Sequence, residues 1–336
     1  MKKLFVLLLA FAMVAGAFAQ VNFTGYLDTG FMIEKEGSAD AEVSLYGDDS
    51  GTQSRFNLAG AYSNENVGVT FRLRVQGDFD GAAPAPQIFM NRGFVWAKMF
   101  DDMVKVQAGR LGDYTWATWV NYFGNLDTKT GVQLQIMPMD GLNFGLFMPV
   151  TTAAVALEDT FKSLVIGAAY SAEDFGKFVA GVKLSPLDDS MDAWAGAQIT
   201  AVENLVVYVE YEGTDLGNDV TGATYLFEEI DYTMGDLNFG IDLEQQFWAN
   251  DALDMGLSFG PYVNYTIEAI TLGGQFTYYT ADDSGMLINP YAKYAVGPGA
   301  LIEFGAYLYS GDIQDVEATA LTDNTTQIYL SFTWSF

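Results

Sequence analysis

Five arginines carry the first chemical signal in this sequence. Arg55, Arg72, Arg74, Arg92 and Arg110 are all the arginines of a 336-residue chain, so none lies beyond position 110. A guanidinium is permanently charged and presents a planar fork of donors to carboxylates and polar solutes. The spacing is that of strands: Arg72 and Arg74 alternate with Phe71, Leu73 and Val75, which puts both cations opposite an apolar face. Arg92 shares a parity with Lys98, and Arg55 with Asn57. Alternation through Val104, Val106 and Ala108 sets Arg110 on the apolar parity unless a bulge intervenes. Consecutive strands pair, so these segments gather cations on one arc of a wall. Carboxylates that could face them are Asp113 and Asp127, in the run after Arg110, and Glu210, Glu212, Asp242 and Glu244 on later polar faces. Such an arrangement either sets up a field across a gap or pairs opposite charges to hold the wall together.

Other chemistries are poorly served. The chain has no His and no Cys, which removes thiol chemistry, disulfides and the usual zinc ligands. No GxSxG elbow or glycine-rich phosphate loop stands out, so an enzyme is not expected. The acid pairs Asp48-Asp49, Asp188-Asp189 and Asp282-Asp283 lack calcium-loop spacing, and no metal or cofactor is expected. With 43 acidic against 15 basic residues, a nucleic acid is not expected as a partner.

The elements that must position these groups are strands. Residues 1–19 read as a secretory signal peptide: Lys2 and Lys3, an apolar run from Leu4 to Phe18, and a small-x-small end at Ala17-Phe18-Ala19. Removing Lys2 and Lys3 takes the net charge from −28 to −30. From residue 20 to 336 nothing marks a second domain. Half the residues are apolar, with 25 Phe and 19 Tyr, yet no apolar stretch after Gln20 is long enough for a membrane helix. Strands with one apolar and one polar face account for both facts if the apolar face meets lipid, and only a closed barrel then satisfies the backbone.

The fold expected is therefore an all-β, transmembrane antiparallel barrel. Eighteen strands are counted, sixteen if one hairpin is misread, with short turns (SNEN, DD, PMD, SAED, VEN, MGD, GPG) alternating with longer, acidic loops. The stretch EKEGSADAEVSLYGDDSG reads as one such loop. Trp96, Trp119, Trp248 and Trp334 stand near strand ends, as interfacial girdles require. The long aromatic connection LGDYTWATWVNYFGN is expected to fold inward as a third extracellular loop. Its aromatics Tyr114, Trp116, Trp119, Tyr122 and Phe123 either pin it to the wall or offer a stacking surface for sugars. Acids such as Glu34, Glu36, Asp40 and Glu42 at the mouth point to a modest preference for cations.

The last residues, QIYLSFTWSF, alternate strictly and end in Phe. Such a strand, with Trp334 and Phe336, resembles the assembly signal of bacterial outer-membrane barrels. VQAGRLGD ahead of a long loop resembles the entry to the inward-folded loop of the trimeric porins. That resemblance implies the outer membrane of a diderm bacterium, insertion by the barrel-assembly machinery, a homotrimer, and passive diffusion of ions and small hydrophilic solutes. It implies a constriction in which Arg55, Arg72, Arg74, Arg92 and Arg110 face Asp113 and Asp127. Eighteen strands resemble instead the sugar-specific channels, so a selective oligosaccharide channel stands as an alternative. A non-conducting structural or adhesive surface barrel is a third.

Overall fold

The computed structural model describes residues 22–46, 54–77, 87–111, 130–150, 164–185, 190–249, 255–280, 284–311, 313–314, 320–321 and 324–336. Residues 1–19, expected to be a signal peptide, and Asp113, Asp127 and the five loop aromatics lie outside these residues.

The strands are β1 (Asn22–Glu36), β2 (Glu42–Tyr46), β3 (Ser54–Ser63), β4 (Val67–Gly77), β5 (Gln87–Met99), β6 (Val104–Arg110), β7 (Thr130–Met139), β8 (Leu142–Pro149) and β9 (Val165–Ala172). They continue as β10 (Gly176–Ser185), β11 (Ser190–Val202), β12 (Leu205–Leu216), β13 (Ala223–Met234), β14 (Leu237–Trp248), β15 (Gly256–Ile267) and β16 (Ile270–Thr280). The remainder are β17 (Gly285–Gly297), β18 (Ala300–Gly311), the small pair β19 (Ile313–Gln314) and β20 (Ala320–Leu321), and β21 (Thr325–Ser335). Each wall strand pairs antiparallel with its sequence neighbours, and β21 pairs with both β18 and β1, closing the sheet.

Segments β2 and β3 share one place in the wall. The first half of β1 pairs with β3 and its second half with β2. The wall is thus an eighteen-stranded barrel, and the sixteen-strand alternative falls. This corrects one expectation: Glu34, Glu36 and Glu42 belong to strands rather than a loop, with Glu34 directly opposite Glu42. EVSLY alternates correctly, but five residues flanked by loop-like composition carry too weak a period to stand out.

Polarity is inverted relative to a soluble protein. Ile88 is 67% exposed, whereas Gln133 is 2% exposed and Glu210 2%. Val67, Val95, Val209, Ile230, Val263 and Phe304 are likewise exposed, and their alternate neighbours face inward. A chain whose apolar face is outermost all round the wall is built for hydrocarbon outside and water inside. Among the described residues no helix is long and apolar enough to cross a membrane. The wall crosses by strands, whose backbone groups satisfy one another round the closed sheet.

Closure is sealed at the C-terminus. Gly25 N–H donates to the Phe336 carbonyl at 2.9 Å and Phe336 N–H to the Gly25 carbonyl at 3.0 Å. The Phe336 ring occupies the place of a Gly25 side chain, overlapping an ideal Cβ there, and its centroid lies 4.9 Å from that of Trp334. Glycine is needed at 25 so that this ring can lie on the first strand.

Candidate functional site

The inner surface is the site, and its charges are sorted by side. On β3, β4 and β5 the register sets Asn57 across from Arg74, Ala59 across from Arg72, and Arg72 across from Arg92. Arg55 stands across from Asp28, which also accepts a hydrogen bond from Tyr26 Oη at 3.1 Å. Four of the five arginines therefore share the lumenal face of three adjacent strands.

A bulge aims them. The β4–β5 register shifts at Arg72/Leu73, leaving Asn91 as the extra residue. Asn91 is buried, and its Oδ1 accepts from both Nε and Nη2 of Arg72. Arg74 Nε donates to Asn57 Oδ1 at 3.0 Å. Neutral amide partners fix these guanidiniums without cancelling their charge. Arg92 Nε is buried and has no hydrogen-bond partner among the described residues. Like charges placed directly opposite on a sheet, as Arg72 and Arg92 are, cost roughly 0.2–1 kcal/mol. This is the reverse of what wall stability alone would select.

The fifth arginine stands elsewhere. Arg110 pairs with Gly93 on one side and Thr130 on the other, in the parity of the exposed Val95 and Val132. Gly109 before it, at φ 131°, does not reverse that parity, and Arg110 Nε donates to the Asn91 carbonyl at 3.2 Å. The structure therefore does not bring Arg110 to the lumenal group. Trp96 is also displaced from its expected place. It lies inward, flat over Gly68 with its Nε1 2.6 Å from where a Cβ would stand, and Lys105 Nζ is 5.6 Å from its ring centroid.

Facing the arginines is an acidic arc. Glu210 and Glu212 on β12, Glu229 and Asp231 on β13, and Asp242 and Glu244 on β14 share the inward parity. Strand β13 is nine wall positions from β4, half of eighteen, so the arcs are diametrically opposed. They also lie at similar depth, since Arg72 is six residues beyond the turn residue Asn66 and Asp242 six beyond Asp236. The acids are tied to polar neighbours. Tyr262 Oη donates to Asp231 Oδ2 at 2.6 Å, and Asn238 Nδ2 to Asp231 Oδ1 at 2.8 Å. Gln275 Nε2 donates to Asp242 Oδ2 at 3.3 Å. Sequence reasoning missed Glu229 and Asp231 because Glu228 precedes them, which hides which of three acids face inward.

Between the arcs the inner wall changes character. Leu111, Phe147, Val165 and Trp194 form a buried apolar cluster with Phe94 packed on it, all on the lumenal parity. On the other side β18 and β21 carry stacked tyrosines: Tyr309 to Tyr307 at 6.2 Å and Tyr307 to Tyr329 at 5.0 Å between centroids. Large inward rings do not fill the lumen, because several lie flat on a glycine of the adjacent strand. Tyr262 covers Gly240, Tyr291 covers Gly273 and Tyr329 covers Gly305. No group of three or more metal-ligating side chains occurs among the described residues.

The rim of short turns, where β1 begins and β21 ends, is acidic. Glu65, Asp101, Asp102, Asp140, Glu173, Asp174, Glu203, Asp236 and Glu268 occupy seven of its eight turns, and no Lys or Arg occurs within those turns.

No protein-family model matches this chain, and no curated protein matches it. Solved structures do. OpdQ of Pseudomonas aeruginosa is 13% identical with a TM-score of 0.65, over 95% of this chain and 99% of that one. Pseudomonas aeruginosa OpdK, solved with vanillate, is 12% identical with a TM-score of 0.60, over 94% and 98%. An anion-selective porin from Comamonas acidovorans is 14% identical with a TM-score of 0.53, over 95% and 100%. At such identities the likeness is one of fold: a closed barrel of the outer-membrane channel type.

Proposed function

We propose that this chain is an outer-membrane channel of a diderm bacterium through which ions and small hydrophilic solutes diffuse across a transverse electric field. The observation that carries this reading is the diametric opposition of the two charged arcs at one depth. A lumen that needed only internal pairing would set acids beside the arginines. Here Asp28 stands across from Arg55, while the amides of Asn91 and Asn57 hold Arg72 and Arg74. In a narrow, low-dielectric passage such a field orients dipolar solutes and slows those that cannot align.

The third loop is proposed to fold inward over the apolar cluster. Leu111, the first residue of that loop, is already buried there, and Tyr114, Trp116, Trp119, Tyr122 and Phe123 would extend the packing. Asp113 and Asp127 would then approach Arg55, Arg72, Arg74 and Arg92. The acidic rim supports a modest cation preference, in contrast to the Comamonas porin named for anion selectivity. Trp334 and Phe336 are proposed to present the assembly signal.

The part-exposed Tyr309 and Tyr307, backed by the buried Tyr329, favour a second reading, an oligosaccharide channel, since planar rings bind pyranose faces. One experiment separates the readings: single-channel conductance of the refolded protein in potassium chloride, repeated with malto-oligosaccharides. Stepwise current indifferent to sugar supports a general diffusion pore. Concentration-dependent block supports the sugar channel. A folded barrel that gives no steps overturns both and leaves a structural or adhesive role.

A further inference from the structure

The outer face of the barrel carries two charges where hydrocarbon is expected. Glu228 lies on the outward parity of β13, between Leu226 and Ile230 along the strand and between Val209 and Leu243 across it. Ile230 and Val209 are both well exposed, so this is the lipid-side face. Arg110 stands on the outward parity of β6, beside Gly93 and Thr130. Their depths agree. Arg110 is seven residues beyond Met103, the end of its turn, and Glu228 is seven before Gly235, the start of its own. At about 2.5 Å of axial rise per residue in a tilted strand, both sit roughly 17 Å above the rim, within the apolar belt.

An ionised side chain at that depth is costly against lipid and as a rule finds a partner of opposite charge, which the neutral Asn91 carbonyl that accepts from Arg110 Nε is not. Opposite sign and equal depth make each the complement of the other. They cannot meet within one barrel, since β6 and β13 are seven positions apart in a wall of eighteen. We propose that the occupant of both faces is a second copy of this chain. Arg110 of one barrel meets Glu228 of the next, with both barrels in the same orientation in the membrane.

The contact is heterologous: the β6 face of one copy against the β13 face of another. Heterologous contacts propagate until a rotation closes them. Faces this far round the wall do not close a three-membered ring, so the assembly is a row of barrels or a large ring rather than the compact trimer that the porin resemblance implies. This goes beyond the channel reading and does not depend on it.

The absence of native cysteine makes the test direct. R110C and E228C are introduced singly and together, and the full protein is treated in the outer membrane with a short bismaleimide. Heat-modifiable migration of each variant confirms a folded barrel. The double variant is expected to give a ladder of dimers, trimers and larger species. Each single variant should stay monomeric alone, and the two co-expressed should give a dimer. The same contact is tested without cysteine by charge reversal: R110E should lower native association by about tenfold or more, and R110E/E228R should recover it. A folded double variant that remains monomeric overturns the proposal. So does a ladder that stops at the dimer, self-cross-linking of either single variant, or association indifferent to the charge reversal.

Discussion

Gly305→Ala tests whether glycine niches keep the lumen open. Gly305 has no unusual φ, so alanine suits its backbone and the effect is purely one of space. A Cβ at this position would stand 2.5 Å from Tyr329 Cζ and 2.8 Å from Cε1. Carbon–carbon contact is comfortable only near 3.5–4.0 Å, so the ring must retreat by about 1 Å. Tyr329 is 1% exposed, and its Oη donates to Glu303 Oε1 at 2.9 Å and accepts from Asn289 Nδ2 at 3.4 Å. Moving the ring strains both bonds, at about 0.5–1.5 kcal/mol each, and its stack on Tyr307, at about 0.5–1.5 kcal/mol. The expected loss of stability is therefore about 1.5–4.5 kcal/mol if all three are lost. The ring has the wall behind it and Tyr307 stacked before it, so its retreat should press Tyr307 into the lumen and conductance should fall as well. The assay pairs urea unfolding, followed by heat-modifiable migration, with single-channel current. Tyr329→Ala in the same chain empties the niche and should restore the current. Unchanged stability and current in G305A would refute the argument, as would a double variant that conducts no better than G305A.

The remaining predictions concern charge, aim and closure. R72Q/R74Q removes half of the basic arc and should raise cation over anion permeability, read as a reversal-potential shift in a salt gradient. E229Q/D231N should move that potential the other way, and equal shifts of one sign would count against opposed arcs. Asn91→Ala deprives Arg72 of its buried acceptor, at a cost of about 1–3 kcal/mol in the folded barrel, and should broaden open-channel current levels as the guanidinium loses its fixed aim. Phe336→Ala removes a half-exposed ring from Gly25 and should cost about 1–2 kcal/mol and slow assembly, seen as a larger unfolded band after a fixed refolding time. A wild-type folding rate would remove Phe336 from the closing step.

Much of this protein is legible in the sequence because a barrel strand needs only a local rule. Val67 to Val75 alternates strictly with Arg72 and Arg74, and that period alone assigns the strand, its faces and the inward direction of both cations. Turns such as Asp101-Asp102 mark strand ends, and a regular meander makes each strand pair with the next. The acids Glu210, Glu212, Asp242 and Glu244 were assigned to the lumen on the same ground.

What the sequence could not decide depends on register and closure. Whether Asn91 is an extra residue is settled by the partner strand, because a bulge is a mismatch between two strands and has no period of its own. Pairing with Gly93 and Thr130 leaves Arg110 on the outward parity that alternation indicates, against the motif, and pairing with Gly68 sets Trp96 inward, against its position near a strand end. Only closure at eighteen strands sets β4 opposite β13, since diametric opposition belongs to the circumference and to no strand in it. EVSLY joined the wall because β1 offered its upper half an unfilled edge, a vacancy that no local pattern records. Alternation along the chain determined which side chains see water. The pairing between chain segments decided which of them see one another.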